Sequence, residues 1–354
     1  MPRPVVDLPK AHLHLHFTGS MRVSTVRELA AKHGIRLPDT LTSGWPPRLS
    51  ARDERGWFRF QRIYDAARAC VRDEADMRRI VREAAADDAA EGSRWLEIQV
   101  DPTSYAPFLG GITPALEIVL DEAAAVSREG GGAAPVAVVV AASRIRHPLD
   151  ARTLARLAAR YAGEGPGTVV GFGLSNDERR GVTEDFAPAF EIAGRAGLAL
   201  VPHAGELLGP AAVETTLESI HPDRVGHGVR AVEDPRVLDL VAESGAALEV
   251  CPLSNVALGV YGSAAEVPLR AVVSRGIPVA LGADDPLLFG SRLAAQYDTA
   301  REALGFSDEE LAELARGSLR ASRAPAEVLK PALADVDAWL AAGVRAPGRP
   351  GPAR

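Results

Sequence analysis

A closed (β/α)8 TIM barrel, with its active site at the C-terminal ends of the strands, is the α/β fold that this 354-residue sequence predicts. Three observations predict it. Eight short runs rich in Val, Leu and Ile, bounded by Gly, Pro or charged residues, read as strands. Longer amphipathic stretches between them read as helices, and strand alternating with helix specifies a parallel sheet. Polar residues fall at or just past the end of nearly every run, as they do on the top face of a barrel. An open doubly wound sheet satisfies the alternation too, but it gathers its ligands at one switch point, and no GxGxxG follows the first run.

The first run, Ala11 to Phe17, carries His12, His14 and His16. Alternate residues of a strand share a face, so all three are expected to point into the barrel, with His16 nearest its mouth. A helix over Ser24 to Lys32 follows. The segment 36–61 is rich in Pro and Trp and long for a connection, and it is predicted to be an insertion capping the mouth. A helix over Asp76 to Ala90 leads into the second run, Arg94 to Val100, which ends at Asp101. The third and fourth runs, Val136 to Ala142 and Val169 to Leu174, follow helices over Pro114 to Arg128 and Ala151 to Ala162, and Ser175 and Asn176 close the fourth. After a helix over Ala187 to Ala196, the fifth run, Leu198 to Pro202, leads to His203 and Glu206. A helix beginning near Gly209 precedes the sixth run, Arg224 to His227. Helices over Pro235 to Ser244 and Leu269 to Arg275 bracket the seventh, Ala247 to Cys251, with Ser254 and Asn255 beyond it. The eighth, Pro278 to Gly282, is followed by Asp284 and Asp285, and helices from Arg292 onward complete the outer layer. Residues 1–342 thus read as one domain and 343–354 as a disordered tail.

Composition excludes several functions. With 47% hydrophobic and 25% charged residues the chain is neither disordered nor fibrous. Forty Lys and Arg against forty-seven Asp and Glu leave a net charge of -7, with no basic stretch dense enough to track a nucleic-acid polymer. Cys70 and Cys251 are too far apart for a CxxC motif, so a reducing, cytoplasmic setting is expected. The longest apolar run, Ala133 to Ala142, falls well short of the ~20 residues of a membrane span. No helix face carries an unambiguous interface stripe, which leaves the oligomeric state open.

The histidines of the first run converge with His203 and Asp284 from other strands. Imidazoles with one carboxylate suit Zn2+, with Fe2+ or Co2+ as substitutes. Spacing alone does not choose which two of His12, His14 and His16 bind the ion. Each candidate also has a structural reading: Glu206 as a helix cap, His227 as a packed strand residue, and Asp284-Asp285 as a turn. Convergence on one face favours chemistry. No HExxH and no HxE with PCxxC is present, which removes the zincin proteases and the cytidine-type deaminases.

Four blocks go further: LPKAHLHLHFTGS, then PHAGE at 202–206, RVGHGV at 224–229 and LGADDP at 281–286. In their order and spacing the sequence resembles the adenosine deaminase family of the amidohydrolase superfamily. The resemblance implies one Zn2+ per chain on His14, His16, His203 and Asp284, and leaves His12, which stands where the family commonly has Glu, as a supporting or core residue. It implies that Glu206 gives a proton to purine N1, that His227 works beside the attacking water, and that Asp285 binds N7. Two-metal relatives bridge their ions with a carboxylated lysine on the fourth strand. Here the lysines are Lys10, Lys32 and Lys330, none of them near that strand, so a mononuclear site is expected.

Two departures bear on substrate. Thr18 stands where the family has an Asp that binds the ribose 5′-hydroxyl, and Asn176 stands where a glycine presents its backbone amide to N3. Asn tolerates unusual backbone angles, so that contact can survive. Loss of the acid suits a substrate carrying an anion at its 5′ end, with Arg55, Arg59 and Arg62 as partners, unless the Thr18 hydroxyl bonds the 5′-hydroxyl itself. The expected activity is hydrolytic deamination of a small-molecule 6-aminopurine nucleoside, first of all adenosine to inosine and ammonia. A 5′-modified nucleoside such as 6-amino-6-deoxyfutalosine, or free adenine, is the alternative. A purine-binding barrel without catalysis is disfavoured because the metal positions, Glu206 and His227 are all intact.

Overall fold

A computed structural model describes residues 2–342. Its eight strands are β1 (Lys10–His16), β2 (Ser93–Val100), β3 (Val136–Ser143), β4 (Val169–Ser175), β5 (Ala199–Ala204), β6 (Arg224–His227), β7 (Ala247–Val250) and β8 (Val279–Leu281). Each pairs in parallel with the next, in sequence order. The ends meet as well. Asp284 N–H donates to the His14 carbonyl and His16 N–H to the Asp284 carbonyl, both at 3.0 Å, which joins the residues after β8 to β1. Every residue of β3 is buried, as expected of a parallel strand covered on both faces.

The helices follow local chemistry. The first, α1 (Val23–His33), stops at Gly34, which adopts φ +64°. The second, α2 (Glu54–Arg68), starts where the Asp53 side chain accepts from Gly56 N–H. The third, α3 (Glu74–Ala90), opens with a capping box between Asp73 and Asp76. Segment 36–61 therefore contains the start of a helix that runs on to Arg68. Trp45 on the same segment donates from Nε1 to the Leu287 carbonyl at 2.7 Å, close to the end of β8.

One expectation fails on β1. Its pairing with β2 slips between His12 and Leu15, so His12 pairs with Leu96 whereas His16 pairs with Gln99. Leu96 packs in the apolar cluster that holds Ile80 and Ala84 of α3. The slip is a bulge, and it changes which face the earlier residue presents. His12 accordingly leaves the barrel lumen, and its Nδ1 lies 2.7 Å from the Asp88 carboxylate on α3. Its Nε2 accepts from Ala283 N–H at 3.0 Å, the residue before Asp284.

Below the mouth, the Arg224 guanidinium is buried between two carboxylates. It pairs with Glu97 and donates to Glu249 at 2.7 Å, and Glu249 holds His14 Nδ1 at 2.9 Å. Residues 343–354, read above as a tail, lie outside the described residues. Among the described residues no helix is long and apolar enough to cross a membrane.

Candidate active site

At the C-terminal end of the strands, four donor atoms face one point. His203 Nε2 lies 3.1 Å from His14 Nε2 and 3.3 Å from His16 Nε2, while Asp284 Oδ1 lies 3.2 Å from His16 Nε2 and 3.7 Å from His14 Nε2. Two ligands sharing one ion at bonds of about 2.0–2.1 Å stand roughly 3.3–3.4 Å apart, so these four separations bring the donors within reach of a common ion. Glu249 fixes the other nitrogen of His14, which directs the Nε2 lone pair to the centre. Ser254 does the same for Asp284, donating its hydroxyl to Oδ2 at 2.5 Å. The residues present therefore fit a divalent ion with N and O ligands.

Two glycines make the convergence possible. A Cβ on Gly226 would lie 3.0 Å from His203 and 3.1 Å from His14, and one on Gly19 would lie 1.8 Å from Asp285 Oδ1. Three non-glycine residues of the site also adopt the left-handed backbone region: Asn176 at φ +81°, His227 at +64° and Asp284 at +62°. Such angles cost on the order of 1–3 kcal/mol each and persist where surrounding structure demands them. The tolerance expected of Asn176 is thus used.

Electrostatics sort the titratable groups. Burial pushes the Asp284 carboxyl up, but the imidazoles of His14 and His16 beside it outweigh that and hold it well below the usual carboxylate range. Burial likewise opposes charge on His14, yet Asp284 and Glu249 raise it to about 10. The centre therefore attracts positive charge. Glu206 is pushed the other way, well above the usual range, by burial and then by the Asp284 charge. Asp285 is raised well above its ordinary value by the same two causes. Burial and the neighbouring His14 take His227 down to about 3. A neutral acid and a neutral imidazole thus stand side by side, with Glu206 Oε1 3.7 Å from His227 Nε2.

Several supporting residues escaped the reading of the sequence. Glu178 accepts from the backbone N–H groups of Gly205, Glu206, Leu207 and Leu208 at 2.6, 3.1, 2.7 and 2.9 Å, and so holds the loop that carries Glu206. The acid two residues past Asn176 is visible in the sequence, but its partners are not. Arg144 donates to the His203 carbonyl at 2.6 Å. Thr18 lines the cavity, with its hydroxyl 2.6 Å from that of Tyr105. Arg55, Arg59 and Arg62 are exposed and lie outside the cavity lining, contrary to the role considered for them, because helical phase turns them away. The inward stripe of α2 is Trp57, Phe60, Gln61, Tyr64 and Arg68, spaced as one face of a helix.

A family model described as adenosine deaminase matches residues 9–339. The chain belongs to the adenosine deaminase family. It is thereby a member of a family of hydrolytic, metal-dependent deaminases. A Streptomyces virginiae protein provisionally named adenosine/adenine deaminase is 62% identical over 338 residues, covering 96% of this chain and 98% of that one. An adenine deaminase of Rhizobium leguminosarum is 34% identical, covering 93% and 99%. Among solved structures, adenine deaminase from Arthrobacter aurescens superposes with a TM-score of 0.85 at 28% identity, covering 94% of this chain and 99% of that one. An amidohydrolase from Burkholderia ambifaria with bound Zn shares the fold, with a TM-score of 0.82 at 22% identity over 96% of this chain and 93% of that one.

Proposed function

We propose that this family member hydrolyses the amino group of a 6-aminopurine, base or nucleoside, to a 6-oxo product and ammonia, using one Zn2+ per chain on His14, His16, His203 and Asp284. The observation that carries the reading is that three members of that donor set, His16, His203 and Asp284, line one cavity together with the raised Glu206 carboxyl. When bound, zinc supplies the acidity that makes water nucleophilic near neutral pH. The chain's own residues do the rest.

Purine C6 is a poor electrophile until N1 carries a proton, and Glu206, kept neutral by burial, is the donor for it. Neutral His227 holds the attacking water at C6 and takes its proton. That proton passes to the departing amine, which leaves as ammonia, and the C6 hydroxyl gives up its remaining proton as the 6-oxo group forms, which restores the Glu206 acid. N7 is an acceptor and needs a donor; Asp285, also kept neutral, serves, and its Oδ1 has no partner among the described residues. The Asn176 backbone N–H faces N3. His16 and Thr18 flank the ring from β1. Names borne by the relatives, adenosine/adenine deaminase and adenine deaminase, favour this substrate class. Two buried free cysteines fit a cytoplasmic setting.

The test is direct. Purified protein loaded with zinc should hold about one ion per chain and release ammonia from adenine, adenosine or both. Purine binding without ammonia release, or no zinc at stoichiometric loading, would overturn the reading.

A further inference from the structure

The chemistry occupies one arc of the barrel mouth and leaves the other for recognition. Donor atoms, the proposed acid and His227 come from the ends of β5, β6, β8 and β1. The opposite arc, β2 to β4, contributes Gln99, Ser143 and Asn176 to the same cavity. Gln99 is 2% exposed, yet neither Oε1 nor Nε2 of its amide has a partner among the described residues, and the Ser143 hydroxyl has none either. A buried amide left unpaired in both senses is costly, so a donor and acceptor pair from outside the chain is what such a group awaits. The other polar side chain at the end of β2 is already engaged. Asp101 Oδ1 accepts from the Thr103 N–H and hydroxyl at 2.9 and 2.5 Å.

We infer that Gln99 reads the N9–H of a free 6-aminopurine base, making this enzyme selective for the base over its nucleosides. The inference rests on the deaminase reading above. With C6 at the donor atoms, N1 toward Glu206 and N7 toward Asp285, the N3/N9 edge of the ring points to the β2–β4 arc. In a free base that edge presents an acceptor, N3, beside a donor, N9–H. A carboxamide offers the complementary pair in one plane, as it does when Asn or Gln reads an adenine edge. Oε1 accepts N9–H, and Nε2 flanks N3 together with the Asn176 backbone N–H. A nucleoside has carbon at N9 and leaves Oε1 unpaired. On the β1 side, the Thr18 hydroxyl is engaged with Tyr105 and carries no charge to hold a ribose 5′-hydroxyl.

The experiment compares adenine, 9-methyladenine and adenosine on zinc-loaded wild type, Gln99→Met and Ser143→Ala, with calorimetric binding of hypoxanthine and 9-methylhypoxanthine as a readout independent of turnover. Wild type should favour adenine over 9-methyladenine in kcat/KM by about tenfold or more, the scale of one buried hydrogen bond with an unpaired alternative. Gln99→Met should collapse that ratio by lowering adenine far more than 9-methyladenine, and should weaken hypoxanthine far more than 9-methylhypoxanthine. Its melting temperature should hold or rise, because the substitution removes an unpaired amide from the interior; a fall would overturn the inference. Faster turnover of adenosine than adenine by wild type, or equal losses on every substrate in Gln99→Met, would also overturn it while leaving the deaminase reading intact. No ammonia from any of the three purines would sink that broader reading instead.

Discussion

Glu206 and Asp284 are both buried carboxyls of the same site, yet their surroundings drive them apart: Asp284 is held ionised by the histidines it touches, and its charge then helps keep Glu206 protonated. A proton donor is what N1 requires, so Glu206→Gln should retain zinc and purine binding while lowering kcat by several orders of magnitude. Near-normal turnover in that variant would remove Glu206 from the role. The same shift sets a pH dependence. Activity needs the protonated form, so kcat/KM should hold below the raised pKa of Glu206 and fall as pH climbs through it, an alkaline limb above the ordinary carboxylate range. Stability follows the same sign. A pKa raised by folding means the stabilising contribution of the neutral form is lost as pH rises through the folded value. His203→Ala should instead lose the metal, and full zinc occupancy with lost activity would move His203 out of the coordination shell.

At the scale of elements, the site is held by groups that never touch substrate in the proposed mechanism. Glu178, three residues past the end of β4, gathers the backbone N–H groups of the loop after β5. Glu178→Ala would leave several of them without their charged acceptor, at a cost of about 1.5–3 kcal/mol for bonds of this kind. A lower melting temperature together with a reduced kcat is the expected outcome, and unchanged values of both would show that the loop holds itself. The bulge in β1 works similarly. It frees His12 to link Asp88 on α3 with the backbone just before Asp284, so a helix outside the barrel steadies a residue inside it.

Across the whole molecule, the proposed zinc ligands come from the first strand, the fifth and the segment after the last, so a bound ion ties together the two edges at which the ring closes. Chelation should therefore lower the melting temperature and re-addition of zinc should restore it. At free zinc a hundredfold above its Kd the stabilisation is about 2.7 kcal/mol. A melting temperature indifferent to zinc would separate the donor cluster from metal binding.

The strands were legible because parallel strands covered on both faces must be apolar throughout, and runs such as Val136 to Ala142 admit little else. His14, His16, His203, Glu206, His227, Asp284 and Asp285 were legible as a group because a barrel puts strand ends on one face, and no knowledge of side-chain contacts was needed to see it. Their short local motifs carried the rest. What depended on register and on helix phase was settled only in three dimensions. A slip of β1 against β2 sent His12 outward, although period-two alternation pointed it in. The phase of α2 chose Arg68 for the cavity over Arg55, Arg59 and Arg62, in a segment whose prolines and tryptophans masked its helical repeat. Glu178 and Gln99 gained their meaning from partners, or the lack of them, far away in the chain. Periodicity is a property of neighbours along the sequence; hydrogen-bond satisfaction belongs to the packed molecule, and there the sequence by itself is silent.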